Sequence, residues 1–300
     1  MYQDARITDC RYIASYSLTD SSSPQIIIPG QPAVWEAPQL PFQLPKDPGN
    51  CLRDQNGAQF PEHPMHPSVQ SIFALNEGFN LTSVDIMGCA SSLGNILRFV
   101  RSVSSTFRYD VEMVGNTLFI INNQRNEVIP DIHGHGISFL ENFTAYQAEM
   151  EDTKSHQRII SYSFGGLKCL VRFECDGHLE NAGDISTTTN ELGSLHVSEI
   201  STSNSITVKA AGVAVPQHSI VEIKTRSQLK GHIDMGEHLP RLWLRQIPNF
   251  IVGYHVKGNF EDIQEKPTQQ DLREWESAHE SQLRMFAEGT KWNTSGSASQ

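Results

Sequence analysis

The chain has 300 residues, of which 38% are hydrophobic and 19% charged, enough to bury the core of one large domain or two small ones without disulfide or metal staples. That composition excludes collagen, coiled-coil and wholly disordered chains. With 23 basic against 34 acidic residues the net charge is −11, the wrong sign for a protein coated in nucleic acid.

In chain order, residues 1–16 alternate polar and apolar side chains without the core of a signal peptide. No apolar run approaches the ~18 residues of a membrane span, so a cytoplasmic protein is expected. Residues 1–70 are dense in turn formers, among them Pro24, Pro29-Gly30, Pro38, Pro41, Pro45, Pro48-Gly49, Pro61, Pro64 and Pro67. An irregular proline-rich wrap without long regular elements is the expectation there, followed by the folded domain over 71–288. From Ser91, the spacing of Leu93, Ile96, Leu97 and Val100 predicts a short helix capped by Ser91 or Ser92. Residues 107–113 and 117–121 read as strands about the Gly115-Asn116 turn, and 159–164 with 167–176 as a hairpin across Gly165-Gly166.

Residues 181–204 are mostly Ser, Thr, Asn, Gly and acids without a period, which predicts a mobile loop. Strands are expected at 206–209, 213–215 and 220–225, a helix over 239–246 stopped by Pro248, and a buried strand over 250–256. Thr268 opens a helix with Asp271 in capping-box position and Leu272, Trp275, His279, Leu283 and Phe286 on one face. A disordered tail is expected at 289–300. The five cysteines, Cys10, Cys51, Cys89, Cys169 and Cys175, are odd in number and lack C-x-x-C spacing, so they read as reduced thiols.

Charge is unevenly spread. Between residues 224 and 257 six bases (Lys224, Arg226, Lys230, Arg241, Arg245, Lys257) meet two acids (Asp234, Glu237), a segment able to guide a polyanion or simply to be a solvated face. On the strand over 167–176, Leu167, Cys169, Val171, Phe173 and Cys175 face one way and Arg172, Glu174 and Asp176 the other. Two carboxylates thus stand about 6–7 Å apart at a strand end. Over 220–225, Glu222 and Lys224 share a face while Val221 and Ile223 point to the core.

Glu174-Cys175-Asp176, then Glu222-Ile223-Lys224, then Gln246 on a following helix resemble the PD-(D/E)XK nuclease superfamily. Hard carboxylates there hold Mg²⁺ or Mn²⁺, the metal activates water and the lysine stabilises developing charge; ordinary exposed sheet charges are the plainer alternative. The resemblance implies an α/β fold, a PD-(D/E)XK nuclease-like core with a central mixed β-sheet flanked by helices, and all four charged residues at one end of that sheet. Glu222-Ile223-Lys224-Thr225, Trp243 with Gln246, and Ile251-Val252-Gly253-Tyr254 also resemble the eukaryotic decapping-nuclease family, which acts on RNA 5′ ends. That family's further metal-binding glutamate, in the pattern Gly, hydrophobic, any, hydrophobic, Glu, falls on Leu140, with Glu141 one residue late. One position turns a side chain by about 100° on a helix, which puts a two-metal site in doubt.

Arg158-Ile159-Ile160-Ser161-Tyr162, Glu174 with Asp176-Gly177, Glu222 through Arg226, Leu239-Pro240 with Leu242-Trp243, and Tyr254-His255 further resemble a group of fungal proteins that includes arginine-containing cyclodipeptide synthases. That resemblance implies an aminoacyl-tRNA-dependent synthase joining arginine, from arginyl-tRNA, with a second amino acid into a diketopiperazine. It places catalysis on Glu174, Asp176, Glu222 and Lys224, and tRNA or substrate binding on Arg98, Arg158, Arg226, Arg241, Trp243, Arg245, Gln246 and Tyr254. Activated esters need no ATP, in keeping with the lack of a G-x-x-x-x-G-K-[ST] loop. The alternatives are a metal-dependent RNA or DNA nuclease with Asp176 and Glu222 on Mg²⁺ or Mn²⁺, and a catalytically dead nucleic-acid-binding relative. Solvated Arg98, core Trp243 and core Cys175 remain open readings, and His63, His66, His133 and His135 read as loop histidines before metal ligands.

Overall fold

The computed structural model describes residues 5–21, 23–103, 106–122, 128–180 and 206–295; the loop expected at 181–204 lies outside them. The first half runs β1 (Ile7–Thr19), β2 (Gln25–Pro29), β3 (Val34–Trp35), β4 (Phe42–Gln43), β5 (Cys51–Leu52), α1 (Gln55–Gln59), α2 (His66–Leu75), β6 (Ile86–Cys89) and α3 (Ala90–Val100). It continues through β7 (Tyr109–Val114), β8 (Thr117–Asn122), β9 (Val128–Ile129), α4 (Gly136–Phe143) and β10 (Thr144–Ala145). The second half is β11 (Thr153–Phe164), β12 (Leu167–Cys175), β13 (Gly177–His178), β14 (Thr207–Ala211), β15 (Ile220–Ser227), α5 (Met235–Arg245), β16 (Asn249–Val256), β17 (Asn259–Pro267), α6 (Gln269–Ala278) and α7 (Glu280–Ser295).

An eight-stranded sheet has the order β14-β2-β1-β11-β12-β6-β8-β7, and a seven-stranded sheet the order β10-β3-β13-β15-β16-β17-β4. Both are mixed: β12-β6-β8 and β15-β16 are parallel within otherwise largely antiparallel surroundings. One face of the first sheet packs through Ile86, Ile160, Phe164 and Val171 on Leu97, Trp243, Trp275 and Phe286 of α3, α5, α6 and α7. Its other face packs through Tyr16, Ile26 and Leu170 on Ile72 of α2, while α4 covers the second sheet with Phe139 and Phe143 against Val221, Ile251 and Phe260. α4 approaches so closely that a Cβ at Gly253 would lie 2.6 Å from the Phe139 ring.

The β11–β12 hairpin forms as the sequence predicts: Gly165 and Gly166 both take positive φ, 57° and 82°, as a two-residue primed turn requires. Other expectations are corrected. Residues 7–19 are no irregular wrap but a strand inside the first sheet, paired with β11 from Ile7 opposite Phe164 to Thr19 opposite Thr153. Ala14 through Thr19 are all buried, and Tyr12, Ile13, Tyr16 and Leu18 are good strand formers; the prolines begin only afterwards. The single expected sheet is two, because β15 pairs with β13 and β16 rather than with β12, and pairing partners leave no trace in a strand's own period.

Residues 213–215 form no strand; the Val215 carbonyl instead accepts from Arg158 Nη2 at 2.8 Å. The helix expected over 239–246 starts four residues earlier, where Asp234 accepts from the Gly236 N–H at 2.9 Å and caps the first turn. The capping box at Thr268 does not form, since Thr268 Oγ1 donates to the Ile247 carbonyl and Asp271 pairs with Lys266. The helix there breaks at His279, and α7 then runs through Ser295 into the expected tail. No helix among the described residues is long and apolar enough to cross a membrane.

Candidate active site

The chain leaves the first sheet for the second at Asp176, between β12 and β13. This crossing brings Asp176 to β15, where its Oδ2 accepts from the Ile223 N–H at 2.8 Å and from Lys224 Nζ at 3.0 Å. Lys224 Nζ also lies 2.7 Å from Glu222 Oε1, and Arg245 Nη1 lies 2.7 Å from Glu222 Oε2. Glu222 is 3% exposed, so both of its oxygens are answered by cations in a place where an unpaired carboxylate would be costly. Burial by itself would raise the Glu222 carboxyl, but Lys224 and Arg245 together outweigh it and hold it down at about 2. Burial and the neighbouring Glu222 keep Asp176 above the usual carboxylate range against the pull of Lys224.

Arg245 stands between this cluster and a cleft of about 760 Å³. Two helices and the end of β12 make its walls. The polar stripe of α3 contributes Ser91, Gly94, Asn95 and Arg98, with Arg101 just beyond; α5 contributes Glu237, His238, Arg241 and Arg245. These stripes lie opposite the core-facing Leu93, Ile96 and Leu97 of α3 and Leu242 of α5, as helical periodicity dictates. Arg53, Asp54, Arg172 and Glu174 close the cleft. Six arginines thus face three acids, the composition of a pocket for an anionic ligand.

Arg172 is 3% exposed, with Nη1 on Gln157 Oε1 and Nη2 on Asp54 Oδ2, both at 3.2 Å. Its Nε–H, like those of Arg98 and Arg245, is buried without a partner among the described residues. Glu174 faces the cleft and makes no hydrogen bond or ion pair among the described residues. Glu174 is itself exposed to the cleft; desolvation by the cleft walls, then the carboxylates of Asp176 and Asp54, push its carboxyl up to about 7, against the pull of Arg172 and Arg245. A carboxyl so placed changes protonation near neutrality, as a proton-transferring group must.

The structure brings together Glu174, Asp176, Glu222, Lys224, Arg98, Arg241 and Arg245 of the residues singled out in the sequence, and disperses the others. Arg158 is fully buried, donating from Nε to Gln217 at 2.7 Å and stacking 4.3 Å from the Tyr12 ring, so it holds the core together and cannot meet an RNA. Trp243 is a core residue, with Nε1 on Glu276 and its ring against Phe164 and Trp275. Gln246 caps α5 in the left-handed conformation, φ 50°, and folds its Nε2 back onto the Trp243 carbonyl. Tyr254 is 4% exposed and its hydroxyl accepts from the Ile233 N–H. Arg226 ties down the 228–231 turn through the Lys230 and Gly231 carbonyls.

Arg53, Arg101 and Arg172 were missed as cleft residues. The period of α3 carries Arg98 and Arg101 on one stripe, a signal present in the sequence; Arg53 and Arg172 come together only through the fold. Cys175 is buried and its thiol is pushed up to about 12, the behaviour of a core residue. His135 is buried against His255, with Nδ1 2.7 Å from the Pro45 carbonyl, and all five cysteines are free.

Among the described residues no group of three His, Cys, Asp or Glu side chains is arranged to hold a metal ion. On α4, Leu140 packs against the second core beside Phe139 while Glu141 is exposed. With both Glu222 oxygens and one Asp176 oxygen taken by cations, this donor set does not fit a divalent ion.

A family model described as a domain of unknown function (DUF8563) matches residues 5–291. No curated protein matches the chain. Among solved structures, S. pombe Rai1 in complex with 3′-FADP superimposes with a TM-score of 0.62 at 12% identity, over 99% of this chain and 89% of that one. Candida albicans Rai1 in complex with pU5-Mn²⁺ gives 0.56 at 10% identity, over 98% and 84%. K. lactis Dxo1 in complex with manganese gives 0.54 at 10% identity, over 99% and 84%. At such identities the likeness is one of fold, and it establishes the mixed α/β, nuclease-like core expected from the sequence; a cyclodipeptide synthase is not among these matches.

Proposed function

The chain belongs to the DUF8563 family, and from that premise and its Rai1-like and Dxo1-like fold we propose that it is an enzyme acting on an RNA end held in the arginine-walled cleft. The observation that carries this reading is geometric: Glu174, unpaired among the described residues, is exposed to a cleft with six arginines in its walls, and its carboxyl is pushed up to about 7. Arg98, Arg101 and Arg241 bind phosphate oxygens through charge-assisted bonds. Glu174 in its ionised form takes the proton from the attacking group, and the Arg245 guanidinium lies against the charge that develops.

The chemistry favoured by the fold likeness is hydrolysis of the RNA: water attacks phosphorus, its proton passes to Glu174, and the phosphorus–oxygen bond to the leaving group breaks. A second reading is favoured by one observation, the occupation of both Glu222 oxygens by Lys224 and Arg245. It is aminoacyl transfer from arginyl-tRNA and a second charged tRNA to give a diketopiperazine. There the amine of one aminoacyl group attacks the ester carbon of the other, and Glu174 accepts the amine proton and returns it to the terminal tRNA oxygen as that tRNA leaves; the free amine of the resulting dipeptidyl-tRNA then attacks its own ester carbon in the same way, closing the ring and releasing the second tRNA. Three acids of the cleft, Asp54, Glu174 and Glu237, supply partners for an arginine substrate.

Mass spectrometry separates the two. The protein is incubated, with EDTA present or absent, with 5′-phosphorylated RNA and separately with charged tRNA. Shortened RNA supports hydrolysis and a cyclic arginine dipeptide supports transfer. Intact RNA with no dipeptide, from a protein that binds neither, contradicts the proposed function as a whole.

A further inference from the structure

We propose that the guanidinium of Arg245 is the built-in cation of this centre, standing on Glu222 where a nuclease-type site would hold a divalent ion. Three independent features of the chain converge on it. The first is the pairing: Glu222, 3% exposed, gives Oε2 to Arg245 and Oε1 to Lys224, each at 2.7 Å, and Lys224 reaches on to Asp176 at 3.0 Å. Two cations are thereby threaded through two carboxylates, and both Glu222 oxygens and one Asp176 oxygen are taken. The second is the helix α4, where Leu140, at the position the sequence pattern gives to an acid, packs against the second core and the following Glu141 is exposed.

The third is the way Arg245 is held. It is the last residue of α5, where the helix dipole favours a positive charge. Gln217 Nε2 grips the chain there by donating to the carbonyls of Arg245 and Gln246 at 3.1 and 3.0 Å. The side chain spans from the buried Glu222 to the cleft, of which it forms part of the wall. A guanidinium carries five N–H donors in a planar fork and cannot lose its charge at any working pH. With one arm on Glu222 it neutralises the buried acid and offers the rest of the fork to an anionic oxygen in the cleft. A divalent ion can reach Glu222 only by displacing the ion pairs on this buried carboxylate.

The inference rests on the proposed function only for the identity of the anion; the occupancy of Glu222 is tested without any RNA. Mn²⁺ is titrated into the whole protein and followed by electron paramagnetic resonance. Wild type is expected to bind Mn²⁺ more weakly than about 1 mM. Arg245→Gln, which removes the charge and frees Glu222, is expected to gain one site at least roughly tenfold tighter. Arg245→Lys should behave as wild type, and adding Glu222→Gln to Arg245→Gln should abolish the new site. A folded Arg245→Gln protein that gains no site overturns the proposal. So does a wild type that takes up one equivalent of Mn²⁺ and loses it in Asp176→Asn, a result that stands even if Arg245→Gln fails to fold. RNA turnover that is absent while these titrations come out as expected counts against the proposed function and leaves the role of Arg245 standing.

Discussion

Around Glu222 both carboxylate oxygens are closed by cations at 2.7 Å, whereas Glu174, on the neighbouring sheet, faces a cleft and pairs with none of the described residues. Glu174 is next to last on β12 and Glu222 third on β15, and the two acids end with opposite properties. Lys224 and Arg245 hold Glu222 down at about 2, while the desolvating cleft walls and other carboxylates push the exposed Glu174 up to about 7. Lysine and arginine partners make the first a structural anchor for the junction of the two sheets. The lack of such partners leaves the second free to exchange a proton with a ligand.

Exchanging the roles of these two acids breaks the comparison most severely. Glu222→Gln strands Arg245 beside a neutral amide and is expected to cost about 3–5 kcal/mol in urea unfolding. Because the folded Glu222 carboxyl lies below its ordinary value of 4.5, its contribution is present above that pH and disappears as pH falls toward about 2. The stability gap between wild type and Glu222→Gln should therefore be constant above pH 4.5 and close in acid. Glu174→Gln should not destabilise the protein and, because the folded carboxyl is pushed above its ordinary value of 4.5, should gain stability over wild type as pH rises above that value, but should reduce turnover by about 10²–10⁴-fold. If Glu174→Gln unfolds the protein and Glu222→Gln does not, the assignment of the two roles is reversed.

Acidity sharpens the contrast further. A base must be ionised, so wild-type turnover is expected to rise with pH through about 7 and level off above it. The residual turnover of Glu174→Gln should show no rise in that range, and a wild-type profile flat from acid to neutral would speak against Glu174 as the base. The smallest expected effects concern the arginines. Arg241→Ala, in the cleft wall, should weaken RNA binding and reduce its salt slope by about 0.7. Arg226→Ala, whose guanidinium is spent on the 228–231 turn, should bind RNA as wild type does, and equal losses in both would dissolve the distinction between cleft and basic segment.

Much of this was legible in the sequence. The alternation over Leu167 to Cys175 put Glu174 and Asp176 opposite the core, and the E-x-K spacing put Glu222 and Lys224 on one face of β15, as found. Arg241 and Arg245 were legible only as part of the run of bases over 224–257, and the structure puts them with Arg98 of α3 in the cleft wall. What sequence periodicity does not encode is which strands pair, so the division into two sheets with Asp176 at the crossing went unseen. Nor does it separate a buried cation from an accessible one: Arg158 is expected to bind tRNA and Arg172 to share a polar face with Glu174 and Asp176, yet both are buried on partners 59 and 118 residues away, Gln217 and Asp54. β1 was hidden by the prolines that follow it, although its own residues are strand formers.

The most direct test of the account is whether the arginine-walled cleft is where RNA binds. Fluorescence anisotropy of a labelled, 5′-phosphorylated single-stranded RNA is measured as salt is raised, for wild type and for the triple variant Arg98→Ala, Arg101→Ala, Arg241→Ala. Each lost phosphate contact reduces the slope of log K against log salt by about 0.7, so the variant should bind more weakly at low salt with a slope shallower by roughly two. An unchanged affinity and slope in a folded triple variant would mean that RNA, if bound at all, is bound elsewhere, and would contradict the cleft as the functional site.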